Sequence, residues 1–243
     1  MLDKTTNTVT SVNDLMIAKR WPAKNPDILQ LYSLPTPNGQ KVSIMLEEIG
    51  IEYEAHKVLL NDDGVTTPEF LSLNPNNKIP AIVDPNGPDN MPFGLFESGA
   101  ILVYLAEKSG QFYGETEAER LEALQWLMFQ MGGFGPMSGQ LGFFFAFAGK
   151  EIEDKRPLDR YVAEVKRMLN VIDKQLDGRD WLTGKYSIAD MAIVPWLNCI
   201  EQFYSADEIT GLRGHKNVSA YMDRFNARPA VQKGLNVPEH SWG

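Results

Sequence analysis

The chain has 243 residues, of which 43% are apolar and 23% charged, with a formal net charge of −9. At roughly 100–200 residues per domain this is one large domain or two modest ones, ample for a real core. The composition excludes disorder, a collagen-like repeat and a disulfide scaffold, and its acidic balance argues against a nucleic-acid binder, whose footprint is basic.

Residues 1–27 carry charges, Asn and Thr with no apolar run of the signal-peptide kind, and form an N-terminal extension. Cys199 is the single cysteine, so nothing indicates an oxidising compartment, and the expectation is a soluble, cytoplasmic protein. Residues 28–32 read as a strand stopped by Pro35-Thr36-Pro37-Asn38-Gly39. Val42, Met45, Leu46 and Ile49 then recur at helical spacing, with Gly50 as the stop. Residues 53–58 are a second strand, and two strands around a helix predict a parallel pair. Residues 68–73 form a short helix, residues 79–83 a third strand, and residues 84–92 a turn dense in Pro, Gly, Asn and Asp. Residues 93–96 are a fourth strand, and Glu97-Ser98 opens a buried helix over 100–109. The order β-α-β-α-β-β-α is a thioredoxin-like layout.

Beyond Tyr113 no strand pattern is left. Helices are predicted over 117–131, over 158–176 with Val162, Val165, Leu169, Ile172 and Leu176 on one face, and over 217–226. Ser187-Ile188-Ala189-Asp190 resembles a capping box opening a helix through residue 203, which Pro195 should kink. Residues 123–149 hold no charged residue. A membrane span needs about 20 predominantly apolar residues, and here six glycines, Pro136, Ser138 and three glutamines interrupt the run. The reading is two buried helices bent at residues 132–136, lining either a subunit interface or an apolar pocket. The chain thus divides into the extension 1–27, an α/β domain over 28–112 and an all-helical domain over 113–243.

His56, His215 and His240 are too scattered for a metal site, and no phosphate-binding glycine loop or nucleophile elbow occurs. Cys199, beside Leu197 and Ile200, reads as a buried, inert thiol. If the chain is an enzyme, its reactive group comes from a bound substrate. Three loops converge on one edge of the sheet. The loop at Thr36 and Asn38 runs into a helix N-terminus, a seat for an anion such as a thiolate, or simply an N-cap. Lys78-Ile79-Pro80 offers a candidate cis proline that turns the Ile79 backbone toward an extended peptide ligand, or a plain trans edge proline. Glu97 and Ser98 suit the ammonium and carboxylate of an α-amino-acid head group, or again only a cap.

Together, in this order and on this layout, these motifs resemble the glutathione transferase family over about residues 28–235. Residues 36–39, 74–82, 95–107 and 132–137 look most like its nu-class branch, which includes bacterial glutathione-dependent disulfide-bond reductases. The resemblance implies glutathione as co-substrate, with no metal, and a homodimer. It implies that Thr36 and Asn38 face the glutathione sulfur and that Ile79 pairs its backbone with the cysteinyl part beside cis-Pro80 and Lys78. Glu97 and Ser98 would hold the γ-glutamyl group, and Arg160 would reach across the dimer. Val65 stands where related reductases place a glutamine. The aromatic run 143–147 reads as a wall for a second substrate or as core packing. The activity implied is reduction of a small disulfide by glutathione. Conjugation of glutathione to a hydrophobic electrophile, and a non-catalytic glutathione-binding regulator, stand as alternatives. The extension 1–27 is left open, either wrapping the partner subunit or staying disordered.

Overall fold

The computed structural model describes residues 10–241. Two 3-10 turns, Val12–Asp14 and Met16–Lys19, precede β1 (Leu29–Ser33), α1 (Pro37–Ile49), β2 (Tyr53–Lys57), α2 (Pro68–Leu73), β3 (Ala81–Asp84), β4 (Phe93–Phe96) and α3 (Ser98–Ser109). The four strands lie in the order β2-β1-β3-β4, with β1 parallel to β2 and β3 antiparallel to both its neighbours. This is the thioredoxin-like arrangement read from the sequence, parallel pair included.

Every residue of β1 is buried, because both faces of the sheet are covered. Leu29, Leu31 and Ile82 point toward α1, α3 and the helical half, while Tyr32, Ala81 and Val83 point the other way. This is the period of two that a strand imposes. The second face is closed by α2 and by the N-terminal segment itself. Val12, Ile17 and Ala23 pack with Val58, Phe70 and Val83. Trp21 meets Tyr32 and Phe70 edge-on, each at 6.3 Å, and its Nε1 donates to the Lys57 carbonyl. Val12, Ile17 and Ala23 therefore anchor residues 10–27 to the sheet of their own chain, since they bury apolar surface that the sheet would otherwise expose. Residues 1–9 of the extension lie outside the described residues.

The rest is helical: α4 (Glu117–Phe129), α5 (Gly135–Phe145), α6 (Arg156–Gln175), α7 (Ile188–Asn198), α8 (Asp207–Thr210), α9 (Lys216–Asn226) and α10 (Pro229–Gly234). No helix is long and apolar enough to cross a membrane among the described residues. The bend expected at residues 132–136 is instead a π turn, Gln130–Phe134, through which the backbone stays helical into Gly135 at φ −63 and ψ −55. Pro136 comes directly after this turn, so the backbone bond its missing N–H cannot make falls where the helical ladder already changes register. A second π turn, Cys199–Phe203, follows α7 and its internal Pro195.

The capping box at Ser187 and Asp190 is present. The Asp190 carboxylate also accepts from Leu182 N at 3.1 Å and from the Tyr221 hydroxyl at 2.9 Å, tying α7 to α9 inside the core. The two halves are locked by α10 against α1. A Cβ on Gly234 would come within 2.7 Å of the Ile44 backbone, so only glycine permits this approach. Arg228 adds a bidentate pair to Glu48 at 2.6 and 2.8 Å.

Candidate functional site

Three of the sequence-marked loops meet at the seam between the two halves. Thr36 caps α1: its hydroxyl accepts from Gly39 N at 3.2 Å, and Pro37 occupies the first turn. A Cβ on Gly39 would lie 1.9 Å from the Leu34 carbonyl, which explains the glycine. The capping reading of Thr36 is thus realised, and its hydroxyl proton is left for a neighbour. Asn38 follows in the first turn, and its Oδ1 accepts from Trp196 Nε1 of α7 at 3.0 Å.

The Ile79–Pro80 peptide is cis. The loop before it is held by Asn74, 2% exposed, whose amide donates to the Lys78 carbonyl at 2.5 Å and whose oxygen accepts from Asn76 N at 2.9 Å. At the start of α3, Glu97 takes φ 72 and ψ 111, a left-handed conformation that a non-glycine side chain holds at a cost of about 1–3 kcal/mol. Glu97 is exposed while Ser98 beside it is buried.

Beneath Ser98 lies a residue that the sequence reading missed. Lys41, in α1, is fully buried; its Nζ donates to Gln130 Oε1 at 2.5 Å and to Ser98 Oγ at 3.3 Å, with Met131 Sδ also at 3.3 Å. Burial pushes the Lys41 ammonium down to about 7, against the opposing pull of the Glu97 charge. Position offered one signal, since Lys41 is four residues before the buried Met45 and shares its flank of the helix. The π turn presents Gln130 to Lys41, and Gly135 makes room for it: a Cβ there would lie 2.3 Å from the Gln130 amide nitrogen.

These groups line two adjoining cavities. One, of about 380 Å³, is bounded by Lys41, Ile79, Pro80, Glu97, Ser98 and Gln130. The other, of about 1000 Å³, is bounded by Thr36, Leu60, Val65, Phe147, Phe203 and Tyr204, among others. Asn38, Lys78, Ile79 and Trp196 border both, so the cavities form one cleft with a polar end and an aromatic end. Within the aromatic run, only Phe147 lines the cleft; Phe144 stacks on Tyr161 at 5.5 Å, and Phe145 packs against the core. The packing reading holds for Phe144 and Phe145, and Phe147 borders the cleft.

Cys199 backs the large cavity, but burial pushes its thiol up to about 12. Such a group stays protonated and is a poor nucleophile. Arg160 lines neither cavity; it is 70% exposed on α6, 3.6 Å from Glu164. His56 is spent inside the fold, bonded to Gln30 at 2.8 Å and stacked on Tyr32. Among the described residues no group of three or more His, Cys, Asp or Glu could hold a metal ion.

The sequence and the fold both resemble those of known proteins. Residues 36–108 match the family model of the glutathione S-transferase N-terminal domain, and residues 136–229 that of its C-terminal domain. Two curated relatives from Escherichia coli strain K12 are both named disulfide-bond oxidoreductases. YfcG is 43% identical, covering 86% of this chain and 94% of the relative; YghU is 41% identical, covering 86% and 74%. Among solved structures, a glutathione transferase from Pseudomonas putida, with one glutathione disulfide bound per subunit, is 59% identical at a TM-score of 0.92 and covers 93% of this chain and 99% of that one. A second, from Burkholderia graminis, with two glutathione molecules bound per subunit, is 57% identical at a TM-score of 0.93 and covers 98% and 99%. The chain belongs to the glutathione S-transferase family.

Proposed function

We propose that the protein reduces small disulfides with glutathione, using the thiolate of the bound tripeptide and no cysteine of its own. The carrying observation is the pairing of a polar, peptide-sized cleft at the N-terminus of α1 with a sole cysteine whose thiol burial holds protonated. In this reading residues 28–112 bind glutathione and residues 113–243 supply the wall for the second substrate. Ile79, beside cis-Pro80 and Lys78, pairs with the cysteinyl part, while Glu97 and Ser98 take the γ-glutamyl ammonium and carboxylate. Lys41 sits beneath that carboxylate and supports it through Ser98.

The sulfur then rests against the first turn of α1, where free N–H groups and the helix dipole favour an anion. Thr36 and Asn38 donate to it. A free thiol has a pKa of about 8.5, and lowering it by about 2 units takes about 2.7 kcal/mol of preferential anion stabilisation, within reach of a dipole and two hydrogen bonds. The thiolate attacks one sulfur of the disulfide, forming a mixed disulfide and expelling one substrate thiolate. A second glutathione thiolate attacks the glutathione sulfur of that mixed disulfide, releasing oxidised glutathione and the other substrate thiolate. Both expelled thiolates regain the protons that the two glutathiones gave up.

The names of the two Escherichia coli relatives and the ligands of the two solved neighbours support this reading. A homodimer in which Arg160 reaches the other subunit's site, and a cytoplasmic location where glutathione is kept reduced, fit it. The aromatic end of the cleft favours conjugation to a hydrophobic electrophile as the second reading. Turnover of hydroxyethyl disulfide and of chlorodinitrobenzene, measured side by side, separates the two. Faster disulfide reduction is expected, with two bound glutathiones, sulfurs adjacent, in soaked crystals. Conjugation alone would refute the reductase, and the absence of glutathione from the α1 terminus would refute both.

A further inference from the structure

Trp196, from the helical half, bonds to the first turn of α1, and nothing in the disulfide chemistry requires an indole there. Its Nε1–H reaches Asn38 Oδ1 at 3.0 Å. An indole nitrogen can only donate, whereas the two ends of a carboxamide are an acceptor and a double donor of nearly the same shape. The bond therefore has one possible sense. It engages the Asn38 oxygen, so the NH2 is the end of the amide that can donate to a ligand in the cleft both residues border.

The indole is itself held. It follows the buried Pro195 in α7, and its ring edge lies against Gly139 of α5, where an added Cβ would meet Cη2 at 3.5 Å. Both cavities of the cleft touch it and Asn38 alike. Without that anchor an asparagine in the first turn of a helix can rotate, presenting its carbonyl to the cleft for part of the time. A carbonyl there repels an anion that the NH2 would stabilise.

We propose that Trp196 is a positioning residue for the sulfur: it locks the Asn38 amide in the one orientation that donates to the glutathione thiolate, so that the helical half sets the acidity of a thiol bound by the other half. The inference rests on the proposed seat of the sulfur at α1. It adds a role for a residue that touches the reacting atom only through Asn38.

The test is the pKa of enzyme-bound glutathione, read from the ultraviolet absorbance of the thiolate against pH, in wild type, Asn38→Ala, Trp196→Phe and the double variant. Trp196→Phe is expected to raise that pKa by about one unit, which makes kcat about tenfold lower near pH 6 and nearly equal to wild type above pH 9, with KM for glutathione little changed. Asn38→Ala should raise the pKa at least as far, and the double variant no further, because both remove the same donor. A packing role alone would lower kcat equally at all pH values.

If soaked crystals show no glutathione at the α1 terminus, the seat of the sulfur is wrong and the functional reading fails with it; if they show it there and Asn38→Ala leaves the thiol pKa untouched, the positioning role falls alone. If Asn38→Ala raises the pKa but Trp196→Phe does not, or the two shifts add, only the positioning role is overturned. Should Trp196→Phe fail to fold, hydrogen exchange of the Trp196 indole N–H decides. Faster exchange in Asn38→Ala than in wild type supports the bond, and equal exchange refutes it.

Discussion

Replacing Lys41 by methionine tests how the floor of the cleft is built. In the unfolded chain this amine titrates at its ordinary 10.5, whereas in the folded protein burial brings it down to about 7. Below pH 7 both states hold the proton, and the folded state bears the whole cost of a buried charge. Above 10.5 neither holds it and that cost is gone. Between these limits the unfolded chain binds one proton more, so stability rises with pH. At about 1.36 kcal/mol per unit the full span is worth about 5 kcal/mol, of which about 3 kcal/mol falls between pH 6.5 and 9.5. Methionine has nearly the same length and no charge, but it abandons the buried Gln130 oxygen and Ser98 hydroxyl, at a cost of about 1–3 kcal/mol. Lys41→Met is therefore expected to be the more stable protein at pH 6.5 and to lose that advantage by pH 9.5. Reversible urea unfolding at one protein concentration across that range measures the difference. A stability difference that does not change with pH would show that the folded amine titrates normally, and the account of its burial would be wrong.

Other outcomes follow from the same geometry. Because an anion seated at Ser98 draws a proton onto Lys41 while the ionising glutathione thiol gives one up, wild type should release less proton on binding glutathione above pH 7 than Lys41→Met does; titration calorimetry in buffers of different ionisation enthalpy reads the difference. Ser98→Ala should raise KM for glutathione about tenfold with kcat nearly intact, the loss of one charge-assisted hydrogen bond of about 1.5 kcal/mol, as steady-state kinetics would show. Cys199→Ala should retain disulfide reduction, since the thiol it removes is held protonated by burial; a large loss of turnover would contradict the borrowed-sulfur mechanism. Asp190→Ala strips a carboxylate that accepts from Leu182 N, Ser187 N and the Tyr221 hydroxyl, and should cost roughly 3 kcal/mol or more in chemical denaturation.

Much of this molecule is legible in one dimension because the relevant physics is local. The helix α1 is announced by Thr36 and Pro37 at its start, by Gly50 at its end and by the spacing of Val42, Met45 and Leu46 between them. Ser187 and Asp190 announce α7 in the same way. Loop composition alone marks Thr36, Asn38, Lys78, Ile79, Glu97 and Ser98, and the thioredoxin-like strand order brings those loops to one cleft. What could not be read are partnerships across long stretches of chain. The N-terminal strap has no strong periodicity, and only the unoccupied face of the sheet gives Val12, Ile17 and Trp21 a place to bury.

The amino-acid order by itself determined the α/β and helical halves, the caps, the strand pattern and the residues fit to seat a peptide. Tertiary structure alone decided that Lys41 lies under Ser98, that Gln130 on a π turn meets it, and that Trp196 faces Asn38 across 158 positions. The reason is physical. Capping and periodicity act within a turn or two, whereas the desolvation of an amine and the sense of an amide depend on which distant atoms the packed core brings within about 3 Å.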